Sequence, residues 1–103
     1  MSESPSHKRA KAQAAGTKGE TEVPLPRNRR LDAMTPAGRA TEIERSGTEK
    51  GLTAAARRLR DAGAKQRVLQ VPQSDMDAAA RAMRKVGISG TVKNMASTKK
   101  RSV

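Results

Sequence analysis

Two stretches of this chain repeat apolar residues with a helical period. Leu52, Ala55, Ala56, Leu59 and Ala62 fall on one face of the first, and Met76, Ala79, Ala80, Met83 and Val86 on one face of the second. Steps of three and four residues are the spacing of one side of an α-helix. Gly63 and Gly87 stand just past the stripes, where a C′ glycine stops a helix. Thr48 is placed to cap the first helix, and Ser74 followed by Asp77 has the outline of a capping box for the second. Ala54-Ala55-Ala56-Arg57 recurs as Ala78-Ala79-Ala80-Arg81, Arg60 as Arg84, Gly63 as Gly87 and Val68 as Val92, at one constant offset. The chain therefore carries an internal repeat of a helix followed by a strand. Such a repeat expresses a shared packing solution, which speaks to fold rather than function.

Period-two or short β-rich runs fill the intervals. Arg29–Met34 reads as a strand, Thr35-Pro36-Ala37-Gly38 as a tight turn, and Ala40–Arg45 as the returning strand of a hairpin. Gln66–Val71, closed by Pro72, and Gly90–Met95 complete the strands. The predicted order is β-β-α-β-α-β, an α/β domain over residues 29–96. It has a small hairpin followed by two βα-type repeats, in a mixed sheet with two helices. Strand–helix–strand units of this spacing make parallel pairs with right-handed crossovers. Residues 1–28 hold little to bury and read as a disordered basic tail. Within them, Val23-Pro24-Leu25-Pro26 is a short extended segment. Residues 97–103 read as a second basic tail.

Composition narrows the function. A chain of 103 residues is one domain at most. With 34% hydrophobic residues and no aromatics, the core must be small and aliphatic. Marginal stability follows, which an obligate partner or a homodimer would relieve. Lys and Arg number 22 against 10 Asp and Glu, a net charge of +12. A charge of this size draws polyanions. Nucleic acid is the first expected partner and an acidic protein the second. The lack of aromatics argues against base-stacking modules, so contacts with phosphates are expected. The candidate contact residues are Arg29, Arg30, Arg39, Arg45, Lys50, Arg57, Arg60, Arg81, Arg84, Lys99, Lys100 and Arg101. Pairing of Arg57 with Asp61 and of Asp77 with Arg81 is expected along the helices.

The absence of cysteine excludes disulfides, thiolate metal sites and cysteine nucleophiles. The one histidine, His7, falls in the tail, so a Ser-His-Asp triad or a histidine-based ribonuclease site is not expected. No stretch reads as a membrane span or an apolar leader, and a soluble cytoplasmic protein is the expectation.

Against this basic background, acids gather in one place: Asp32, then Glu42 and Glu44 in Arg39-Ala40-Thr41-Glu42-Ile43-Glu44-Arg45. Residues two apart on a strand share a face, so Glu42 and Glu44 are expected together, with Ile43 turned into the core. A hairpin brings Asp32 within cross-strand reach. Three adjacent carboxylates repel unless protons or a cation intervene, and oxygen ligands of this kind suit Mg²⁺ or Mn²⁺. Beside a phosphodiester such an ion polarises the phosphoryl oxygen and activates water. Equally, Glu42 and Glu44 could form the solvent face of an exposed strand, paired with Arg29, Arg39 or Arg45, and need no metal.

The order Asp32, turn, Glu42-Ile43-Glu44, helix, strand, over residues 29–95, resembles the PD-(D/E)XK, or restriction-endonuclease-like, nuclease core. By that resemblance Asp32 and Glu42 are metal ligands, and Glu44 stands where the family usually has Lys. Asp32, Glu42 and Glu44 become the catalytic and metal-binding set, and the substrate is DNA before RNA. Arg45 falls on the opposite strand face from Glu44. The family usually has a helix before the Asp strand, often bearing another acid. Here that segment reads as unstructured, with Glu20 and Glu22 within reach. The resemblance implies a metal-dependent endonuclease. The residues alone leave open a non-catalytic nucleic-acid-binding or adaptor protein, or a structural component of a nucleoprotein assembly.

Overall fold

The structure, a computed structural model, describes residues 4–103. Its elements are α1 (Pro5–Ala15), β1 (Glu20–Leu25), β2 (Arg29–Met34), β3 (Arg39–Ile43), α2 (Glu49–Asp61), β4 (Gln66–Val71), α3 (Met76–Val86), β5 (Thr91–Asn94) and β6 (Lys100–Ser102). The six strands form one mixed sheet in the order β1-β2-β3-β4-β5-β6. The pairs β3–β4 and β4–β5 are parallel, and the other three pairs are antiparallel. The α/β class and the order from β2 to β5 are as the sequence implies.

Local signals set the helices. The hydroxyl of Thr48 accepts from the Gly51 backbone N–H at the start of α2, satisfying a donor that the helix leaves open. Gly87, in the left-handed region at φ 85°, ends α3. The capping box at Ser74 and Asp77 does not form. A 3₁₀ turn over Gln73–Asp75 precedes α3 instead, and Asp75 holds the cap position without a side-chain bond.

The helical stripes do what their period implies. Leu52, Ala55, Ala56 and Leu59 of α2, with Ala79, Ala80 and Met83 of α3, bury against Leu31, Ala40, Leu69, Val71 and Val92 of the sheet. Alanines dominate the contact, so the helices approach closely and the core stays thin. The repeat holds for the helices and slips in the strands. Val92 lies in this core, and its register partner is Leu69, not Val68. Val68 is buried outside it. The core-facing Leu69 follows Gly63 by six residues and the core-facing Val92 follows Gly87 by five, and a one-residue shift turns a strand's side chains to the other face.

Over residues 4–28 the expected disordered stretch is instead largely helix and strand, and residues 1–3 lie outside the described residues. Ser4 accepts from the His7 backbone N–H, Pro5 occupies the first turn, and α1 runs to Ala15. Its buried residues are Ala10, Lys11 and Ala15. Small side chains let it lie on the sheet face opposite α2, where Ala10 and Ala14 line a shallow cavity together with Thr41 and Gln70. A Cβ at Gly19 would meet the carbonyl oxygens of Ala15 at 2.1 Å and Met34 at 2.6 Å, so only glycine fits the bend from α1 into β1. The Val23–Pro26 segment is drawn into edge strand β1 and the turn after it. The expected C-terminal tail is also folded in part. β6 pairs with β5, and Gly90 and Val103 exchange both backbone hydrogen bonds. Main-chain pairing, which composition does not reveal, draws β1 and β6 into the sheet.

Candidate functional site

The β2–β3 hairpin pairs regularly at Ala33–Thr41 and Met34–Ala40 and then opens. Beyond that point the ladder is made by side chains. Glu42 Oε2 accepts from the Asp32 backbone N–H at 2.7 Å, and Asp32 Oδ2 accepts from the Ile43 backbone N–H at 2.8 Å. Each carboxylate thus occupies a donor of the opposite strand. The second oxygen of Glu42 receives Arg58 Nε from α2. His7 Nε2, from α1, lies 3.4 Å from Asp32 Oδ2. Residues from α1, β2, β3 and α2 thus meet at one point.

Burial differs across the site. The Glu42 side chain is 1% exposed and Asp32 15%, so the site opens to solvent on the Asp32 side. Glu42 sits on the face packed by α2, while Ile43 is buried as expected, at 4% exposure, but outside the cluster that α2 and α3 form with the sheet. The solvent-exposed strand face envisaged for Glu42 is excluded. Burial, and next the nearby Asp32 carboxylate, push the Glu42 acid up to about 7, against the pull of Arg58 and the Asp32 N–H.

The backbone is strained beside this pair. Glu22 on β1 adopts φ 54°, a region that L-residues other than Asn and Asp seldom visit. The β1–β2 register runs through Thr21–Ala33 and Val23–Leu31 and skips Glu22–Asp32. The Glu22 carboxylate pairs with Lys11, a lysine that is 4% exposed. Strain of this kind persists only where surrounding contacts hold it.

The third expected ligand does not join. Glu44 lies past the end of β3, its N–H bonded to Gln70 O, and its Oε1 accepts from the Ser46 backbone N–H at 3.0 Å. It braces the turn before α2. The Asp32, Glu42 and Glu44 trio is therefore corrected to a pair. Among the described residues, no group of three His, Cys, Asp or Glu side chains is gathered to hold a metal ion.

The basic candidates divide into several groups. Arg29 and Arg60 pair with Asp61, and these contacts hold its carboxyl below the usual range. Among the described residues the expected Arg57–Asp61 and Asp77–Arg81 helix pairs do not form: Asp61 pairs with Arg60 and Arg29, and Asp77 with Arg101. Arg45 donates to Ser6 on α1. Arg30, Lys50, Arg57, Arg81, Arg84, Lys99 and Lys100 are exposed. Sequence reasoning missed His7 and Arg58, which contact the acidic pair, Lys11, which pairs with Glu22, and Lys65, Arg67 and Lys93. Ser4-Pro5 before His7 was a readable helix start, and Arg58 follows Ala55 by three on the stripe's border. Nothing in the sequence marks Lys93.

No protein-family model, no curated protein and no solved structure matches this chain. Its chemistry has to be read from the site alone. No described helix is long and apolar enough to cross a membrane.

Proposed function

We propose that this chain binds nucleic acid and hydrolyses its phosphodiester bonds with the aid of a divalent cation, DNA ahead of RNA. The observation that carries this reading is the carboxylate pair Asp32–Glu42, held where two strands part in a chain of net charge +12. A fold gains nothing in stability from burying one acid against another. Such pairs recur where chemistry needs them. The element order adds support. A helix precedes the Asp strand, the Glu strand follows, and then come a helix and a parallel strand. This order resembles that of the PD-(D/E)XK core, whose leading helix often bears an acid where α1 carries His7.

The donor set fits Mg²⁺ or Mn²⁺. Magnesium is commonly held by one or two carboxylates, with water and substrate phosphate filling the rest of its octahedron. Asp32 and Glu42 would supply those two hard oxygen donors, and their mutual repulsion would be relieved. A bound ion would polarise the phosphoryl oxygen and acidify a water molecule. The chain's own residues do the positioning. Arg58 fixes Glu42, the Ile43 N–H and His7 orient Asp32, and exposed arginines draw in the phosphates.

A second reading is favoured by Glu44, which braces a turn instead of completing a ligand set. In it the protein is a non-catalytic nucleic-acid binder, and Asp32–Glu42 is a structural clip. Plasmid DNA and RNA cleavage with Mg²⁺, with Mn²⁺ and with EDTA separates the two. On the nuclease reading, cleavage needs the metal, disappears in Glu42→Gln and Asp32→Asn, and survives Glu44→Gln. Binding in EDTA with no cleavage under any metal would leave only the second reading.

A further inference from the structure

A concentration of basic side chains lies away from the acidic pair. At the edge where the parallel strands begin, Arg39 of β3, Lys65 before β4, Arg67 of β4, Lys93 of β5 and Lys100 of β6 line one cavity of about 350 Å³. No acidic side chain lines it. Two of its arginines are already oriented. Arg39 Nε donates to Gln66 Oε1 at 3.2 Å, and an Arg67 terminal nitrogen donates to Ser89 O at 3.2 Å. Arg67 Nε is buried and has no partner. A buried donor without an acceptor is costly, and a ligand oxygen would satisfy it. Burial, with Lys100 and Arg39 nearby, holds the Lys93 ammonium below its usual range. Like charges crowded in this way are relieved by an anion.

The anion has to be extended. Adjacent strands are about 4.8 Å apart, so the three steps from β3 to β6 separate Arg39 and Lys100 by roughly 14 Å, more than one phosphate group spans. A nucleic-acid strand offers a charge about every 3.4 Å of helix axis. We propose that this cavity is a phosphodiester-backbone clamp, in which Arg39, Arg67, Lys93 and Lys100 hold successive phosphates of one strand. The proposal rests on the reading that the polyanion is nucleic acid, and it adds where the backbone is gripped. Gly90 keeps the cavity's rim in place. A Cβ there would lie 2.4 Å from Arg67 O, so only glycine lets the β5 approach pass over that strand.

The test is binding of a labelled DNA duplex in EDTA, by fluorescence anisotropy across a salt series. Excluding the metal makes the result independent of cleavage, so failure of the nuclease reading and failure of the clamp are told apart. The double variant Lys93→Gln, Lys100→Gln is compared with Lys8→Gln, Lys85→Gln, which removes the same charge from exposed positions of α1 and α3. The clamp predicts a loss of about 10-fold or more at moderate salt for the first pair and a log–log salt slope shallower by about 2. The helix pair should change affinity by less than about 3-fold. Lys93→Arg with Lys100→Arg should retain binding, and circular dichroism checks that every variant is folded. In ¹⁵N NMR the Arg67 Nε–H resonance should move on adding duplex. Equal losses in both pairs would overturn the clamp. So would an Arg67 resonance that answers inorganic phosphate but not duplex.

Discussion

Glu42 offers the sharpest test of the buried pair. The Glu42→Gln substitution keeps the shape of the side chain and removes its titration. In the unfolded chain this acid ionises near its ordinary 4.5, and in the fold burial and Asp32 carry it to about 7. Between those values the native state holds a proton that the unfolded state has released. The group's contribution to stability is therefore complete below pH 4.5 and is lost as pH rises through about 7. A difference of this size corresponds to roughly 3 kcal/mol at 1.36 kcal/mol per pKa unit. That is a large fraction of the 5–15 kcal/mol typical of a domain. Urea melts at a series of pH values measure it. With no Trp, Tyr or Phe, far-ultraviolet circular dichroism is the appropriate signal. Wild-type stability should fall relative to Glu42→Gln across this window, at up to about 1.4 kcal/mol per pH unit. Asp61 does not mask the effect. Its carboxyl, held low first by its hydrogen bonds to Arg60 and Arg29, loses its contribution only on acidification below the ordinary Asp value of 3.8. Parallel pH profiles for the two proteins would refute the idea that Glu42 is buried against Asp32.

Three further outcomes follow from the same contacts. Thr48→Ala removes the acceptor for the Gly51 N–H and should cost about 1 kcal/mol in urea unfolding. Deleting residues 1–18 strips α1, and with it the burial of Ala10 and Ala15 and the partner of Asp32. The melting temperature should fall by several degrees, where a disordered tail would leave it unchanged. Lys93→Met should raise thermal stability at neutral pH. The folded state has to keep that lysine charged in a half-buried, cation-crowded position, and the gain should vanish above pH 10.5, where both states have released the proton.

Much of the fold was legible because it is written in local periods. The stripes of α2 and α3, the Thr48 cap and the Gly87 stop concern residues within a few turns of one another. The strands β2 and β4 begin and end where the β-rich runs do. α1 escaped because its apolar content is alanine, and its stabilising contacts are with the sheet, not within the helix. β6 escaped because three residues with two cations carry no strand pattern. They are held by pairing with β5.

The site was half legible. Asp32 and Glu42 stand out as acids at hairpin spacing in a basic chain, and the structure brings them together. Period two placed Glu44 beside them, but the strand ends at Ile43, so Glu44 follows the turn geometry and not the strand's. His7, Arg58, Lys65, Arg67 and Lys93 needed the tertiary structure. Each reaches its site from an element distant in sequence.

From the sequence alone came the net charge of +12, the thin aliphatic core, the absence of thiol chemistry and the succession of elements from β2 to β5. Those are properties of composition and of neighbours along the chain. The tertiary structure decided which acids meet, which cations share a cavity, and that the strands carrying Asp32 and Glu42 part where the two carboxylates lie. Each of these depends on the register between strands and on which helix covers which face. A shift of one residue in that register would reverse the facing of every side chain in the site.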